Sequence, residues 1–89
     1  MSTFCLNFFT RSGCHLCESA EPLVRRLAAE TGASVEVHDI DTDPALLSRY
    51  TARIPVIIGP SGRILGEGII DARSLKKALA AEARTFEDG

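Results

Sequence analysis

The 89-residue sequence has no long apolar run: stretches such as Ile54 to Ile58 fall far short of the roughly 18 to 20 residues a spanning helix requires, so no membrane passage is expected. It has no surplus of either charge. Ten Lys and Arg stand against twelve Asp and Glu, a formal net charge of -2, which supplies no basic field for nucleic acid and no like-charge tail. It has too few cysteines for a stapled secreted miniprotein, since three cannot all pair and such domains carry an even, denser set. No positive leader precedes the first apolar segment, and no internal repeat appears. The expectation is one soluble cytoplasmic domain spanning residues 1–89, with residues 85–89 as a frayed tail, acting as a monomer with no nucleic-acid or membrane partner.

What is present is a regular alternation of patterns. Phe4 to Phe9 forms an apolar, β-prone run that suits a strand buried on both faces. From Cys14 to about Glu30, Leu16, Ala20, Leu23, Val24, Leu27 and Ala28 recur at three- and four-residue intervals as one helical stripe, and Gly32 follows as a stop. Pro22 falls inside this helix and is expected to kink it. Ser34 to Ile40 reads as a second strand. Asp43-Pro44 then supplies an N-cap and a first-turn proline for a short helix ending near Tyr50. Ile54 to Ile58 and Arg63 to Gly68 form two strands around the turn Gly59-Pro60-Ser61-Gly62, as in an antiparallel hairpin. Asp71 caps a last helix whose stripe is Leu75, Ala78, Leu79 and Ala83. The order β-α-β-α-β-β-α gives an α/β fold with a mixed four-stranded sheet covered by helices, the order of the thioredoxin-like fold.

The chemistry centres on Cys14-His15-Leu16-Cys17. In the first turn of a helix, residues i and i+3 share a face, and a disulfide between them fits the usual Cα separation of about 5.5 to 6 Å. Cys14 stands where unpaired backbone donors and the positive end of the helix dipole favour a thiolate. A free thiol with a pKa near 8.5 is only about 3% ionised at pH 7, so a depression of one or two units would activate it. Cys14 is therefore the candidate nucleophile, Cys17 the resolving thiol, and Cys14-Cys17 the candidate redox-active disulfide. A cationic His15 would tune the thiolate further, and Leu16 is expected to pack.

Other readings remain open on spacing alone. Structural zinc needs four ligands, yet only Cys5, His15 and His38 accompany the pair, without a second C-x-x-C. Haem attachment would require histidine where Glu18 stands. An iron-sulfur cluster that joins two chains through Cys14 with glutathione, or two inert buried thiols, are further alternatives. Asp39, Asp41 and Asp43 alternate like the start of a calcium loop, but Pro44 and Tyr50 occupy positions where glycine and glutamate are needed. They read as a polar strand end and a helix cap. Cys5 reads as buried and inert.

On CHLC after the first strand, the proline eight positions past the first cysteine, and Ile54-Pro55 ahead of the third strand, nearly the whole chain resembles a glutaredoxin-like member of the thioredoxin superfamily. The resemblance implies a disulfide oxidoreductase concerned with cell redox homeostasis. Its partner would be a disulfide-containing protein or glutathione disulfide. It would hold no tightly bound cofactor and no metal, with glutathione as a candidate co-substrate. It further implies a cis Pro55 opposite the cysteines, an Ile54 backbone that pairs with substrate, and Arg11, Gly68 and Asp71 as glutathione-binding positions. Arg49 and Arg53 would add positive charge near the same cleft, although Arg53 replaces the threonine of the family's usual pattern, and one departure weighs against glutathione: Glu67 stands where a glycine is expected.

Overall fold

A computed structural model describes residues 4–88. The elements are β1 (Cys5–Thr10), α1 (His15–Thr31), β2 (Ser34–Asp39), α2 (Pro44–Tyr50), β3 (Val56–Ile58), β4 (Ile64–Glu67) and α3 (Ala72–Asp88), with one 3-10 turn at Ile40–Thr42. The sheet order is β2-β1-β3-β4. β1 and β2 run parallel, as strands joined through a helix should. β1 and β3, and β3 and β4, run antiparallel. This is the thioredoxin-like arrangement that the element order implied.

β1 carries buried residues on both faces because helices pack against each face of the sheet. Leu6 and Phe8 join Val24, Leu27, Leu75 and Leu79 in the core under α1 and α3. Phe9, one residue on, points the other way and joins Ile40, Tyr50 and Val56 under α2. Each of these large apolar side chains contributes about 1.5–3 kcal/mol on burial. On the α2 face the rings form a stack: His38 lies 4.9 Å from Phe9, and Phe9 lies 4.6 Å from Tyr50.

Cys14 caps α1, and Gly32 ends it at a φ of 83°, a left-handed conformation that costs a residue with a Cβ. Pro22 lies within α1 without ending it, its exposed ring turned to solvent. Ile40 is not the last residue of β2 but starts the 3-10 turn, because Asp39 caps it by accepting from the Asp41 N–H at 2.9 Å. α3 continues through 85–88, where fraying was expected. Leu16 does not pack. It is 47% exposed, since it sits in the first turn of α1 at the open end of the sheet. Cys5 is half-buried rather than buried, at the first position of β1.

One buried acidic side chain stands out on α3. Glu82 is 0% exposed; its Oε1 accepts from the Ser61 N–H at 2.8 Å, and its Oε2 has no partner among the described residues. The carboxyl thus ties α3 to the Gly59–Gly62 turn.

Candidate functional site

Register brings four chain segments to one end of the sheet. Thr10 pairs with Asp39, Phe9 with Val56, and Val56 with Glu67. The Arg11–Cys14 turn, Asp39-Ile40, Ile54-Pro55 and Glu67-Gly68 therefore meet where β1 hands the chain to α1. The Gly59–Gly62 turn lies at the opposite end.

The turn that delivers Cys14 is closed by the Cys14 N–H on the Arg11 carbonyl at 3.4 Å, and Gly13 supplies its φ of 82°. Cys14 itself is extended, with φ -88° and ψ 106°, and its Sγ accepts from the Cys17 N–H at 3.1 Å. A sulfur thus fills the capping role usually taken by a hydroxyl or carboxylate oxygen. The Cys14 and Cys17 Cα atoms are 5.2 Å apart, and their Sγ atoms stand at disulfide-bonding distance, within the range that a bond between them requires. Exposure separates the two: Cys14 is half-buried, whereas Cys17 is 1% exposed.

His15 projects into solvent, its side chain 97% exposed, with Nδ1 3.9 Å from a Glu18 carboxylate oxygen. Any positive charge there faces Glu18. The Ile54-Pro55 bond is cis, and the peptide is held from both sides. The Ile54 N–H donates to the Tyr50 carbonyl at 3.1 Å, and the Pro55 carbonyl accepts from the Gly68 N–H at 2.9 Å.

The remaining expected ligand positions have internal partners. Arg11 forks onto Asp41, with Nη2 2.8 Å from Oδ1 and Nε 3.3 Å from Oδ2. It lines a recess of about 330 Å³ with Thr10, Ser12, Gly13, Glu18, Val37 and other residues. The Gly68 N–H also donates to the Arg53 carbonyl at 3.2 Å. Asp71 caps α3, its Oδ2 accepting from the Ser74 N–H at 2.8 Å. That bond holds the Asp71 carboxyl below its ordinary value, helped by the Ser74 hydroxyl and the Arg73 charge. A carboxylate with a depressed folded pKa stabilises above its unfolded pKa and loses that contribution as pH falls through the folded value. Asp71→Ala should therefore melt below wild type at neutral pH, and the gap should close as the pH drops beneath 3.8. Paired thermal melts across that range read the effect.

One feature was not legible in the sequence. Arg53 reaches across to Glu67, with Nε 3.1 Å from Oε2 and Nη2 3.4 Å from Oε1, while its guanidinium lies 5.3 Å from the centroid of the Tyr50 ring. The hydrogen bond raises the Arg53 pKa and lowers that of Glu67. The hairpin placed Glu67 near Val56, and that register was the available signal. Among the described residues, no helix is long and apolar enough to cross a membrane.

No curated protein matches the chain. Among solved structures, it is similar to the X. campestris protein XcR50, at 38% identity over 85% of this chain and 96% of that one, with a TM-score of 0.72. Protein Ne2328 from Nitrosomonas europaea aligns at 27% identity over 86% and 92%, with a TM-score of 0.72. A mutant thioredoxin from Halobacterium salinarum NRC-1 aligns at 31% identity over 90% and 74%, with a TM-score of 0.70. Residues 5–80 match the family model described as "Glutaredoxin-like domain (DUF836)", and the chain belongs to that family.

Proposed function

We propose that the protein is a thiol-disulfide oxidoreductase that reduces disulfides of polypeptides with the Cys14/Cys17 dithiol. The observation that carries this reading is the Cys14 sulfur at the entrance of a 17-residue helix, accepting the Cys17 N–H, with the Cys17 sulfur buried at bonding distance. The kinship to a thioredoxin at 31% identity supports it.

In this mechanism the Cys14 thiolate, stabilised by that N–H and the helix dipole, attacks one sulfur of the substrate disulfide. The other substrate sulfur leaves as a thiolate and takes a proton from water. Cys17 then gives up its proton and attacks the Cys14 sulfur, which breaks the mixed disulfide and releases the second substrate thiol. Two electrons have passed to the substrate, and Cys14-Cys17 is oxidised. Leu16 and Ile69, 47% and 82% exposed, offer apolar contact to an unfolded segment, and Ile54 offers its backbone carbonyl.

The reductant that regenerates the dithiol is, in our reading, a thioredoxin-type dithiol protein more than glutathione. Arg11 is paired with Asp41, Arg53 with Glu67, and the Gly68 N–H with two carbonyls, so at each of these groups a glutathione carboxylate or backbone must compete with an internal partner. The test is to oxidise the protein and follow its reduction by glutathione and by a thioredoxin system. Faster reduction by the thioredoxin system is expected. Rapid reduction by glutathione with a stable glutathionyl adduct would assign the glutathione-linked role instead, and resistance to both would remove the oxidoreductase reading.

A further inference from the structure

The Arg53–Glu67 pair lies at the rim of the dithiol end of the sheet, one residue before the cis Ile54-Pro55 peptide. Its geometry is that of a guanidinium reading a carboxylate: two donors meet two oxygens, the arrangement by which arginine recognises carboxylate ligands. The arginine is pre-organised from three sides. Its ring contact with Tyr50 orients the guanidinium, its N–H donates to the Tyr50 carbonyl at 2.8 Å, and its own carbonyl accepts from the Gly68 N–H. Its partner is not locked in the same way. Glu67 ends β4 with its side chain 44% exposed, and Arg53 is 36% exposed, so the pair is wet enough for a solute carboxylate to compete.

We propose that Arg53 is a receptor for a substrate carboxylate and that Glu67 is its internal competitor, so that Glu67 biases the site against small anionic disulfides and thiols and toward disulfides without a nearby carboxylate. For turnover this rests on the dithiol reading above; for binding it does not. Glutathione and its relatives are the ligand class that Glu67 disfavours. Freed of Glu67, the Arg53 fork accepts a ligand carboxylate in the same two-bond geometry.

Tyr50 reports on the site, because the chain has one tyrosine and no tryptophan and the guanidinium lies over that ring. The unreactive probe S-methylglutathione is titrated into oxidised wild type, Glu67→Gln, Arg53→Gln and the double variant, with tyrosine emission as the readout. Glu67→Gln should bind about twofold to fivefold more tightly than wild type, the range set by an exposed ion pair. The gain should shrink with added salt, and the double variant should lose it. Equal affinity in wild type and Glu67→Gln overturns the proposal. So does a gain that persists in the double variant, which would reflect loss of a negative charge and no arginine receptor. In turnover, the ratio of kcat/KM for glutathione disulfide to that for neutral hydroxyethyl disulfide should rise by a similar factor in Glu67→Gln. No turnover of either disulfide by any variant refutes the oxidoreductase reading, whereas turnover with an unchanged ratio refutes the role of Glu67.

Discussion

Cys14→Ser is expected to reduce the turnover of hydroxyethyl disulfide to the uncatalysed background, and Cys17→Ser to stop at a mixed disulfide that mass spectrometry detects as an adduct. The asymmetry follows from position. Cys14 is half-buried at the helix mouth, where an incoming disulfide has access, while Cys17 is 1% exposed beneath it and reaches only the Cys14 sulfur. A serine at position 14 keeps a cap, since its oxygen accepts the Cys17 N–H as well as sulfur does, so the fold survives and the loss is chemical. A hydroxyl remains protonated and forms no disulfide. Cys5→Ser is the control, because its sulfur hydrogen-bonds to the Leu6 carbonyl at 3.6 Å and lies at the start of β1, at the other end of the strand from Cys14; its turnover should match wild type. Full turnover in Cys14→Ser, or an adduct that accumulates on Cys14→Ser instead of Cys17→Ser, would reverse the assigned roles.

The parts of this site that could be read from the sequence are the local ones. Three residues along a helix fix which face a side chain occupies, so the Cys14-Cys17 approach follows from spacing once the helix is recognised. The caps at Asp43 and Asp71 follow in the same way, each from a carboxylate two or three residues before the amide it accepts. The cis peptide came from kinship, because no local preference in Ile54-Pro55 selects it. What escaped is non-local. Arg53 and Glu67 are fourteen residues apart and meet only because the β3–β4 register aligns Val56 with Glu67. Leu16 satisfies the helical stripe yet stays exposed, since periodicity says which face a residue occupies and not how far the neighbouring sheet extends. The stripe of α3 held a signal that composition obscured: Leu75, Leu79 and Glu82 follow at i, i+4 and i+7, so the glutamate lies on the buried face.

That glutamate yields the second large prediction. A Cβ built on Gly59 would overlap the Glu82 carboxyl, and Gly59 does not adopt a positive φ, so its lack of a side chain is needed for contact and not for backbone conformation. Gly59→Ala must displace the end of the Glu82 side chain, which breaks the Ser61 N–H bond and leaves both groups without that partner in a buried site. The expected cost is about 2–4 kcal/mol, combining overpacking with a lost buried hydrogen bond. Denaturant unfolding of four proteins isolates the cause. Glu82→Ala alone is destabilised by the unsatisfied Ser61 amide and the space left behind, but in that background Gly59→Ala should cost less than about 1 kcal/mol, because the atoms it collides with are gone. The coupling should then be about 2 kcal/mol in magnitude and favourable to the double variant. If Gly59→Ala costs the same with and without Glu82, the glycine serves the turn's own backbone and the carboxyl is not its constraint. Because the Gly59–Gly62 turn lies at the opposite end of the sheet from Cys14, the folded fraction of Gly59→Ala should still reduce disulfides at the wild-type rate, which separates the pillar under α3 from the chemistry at the other end.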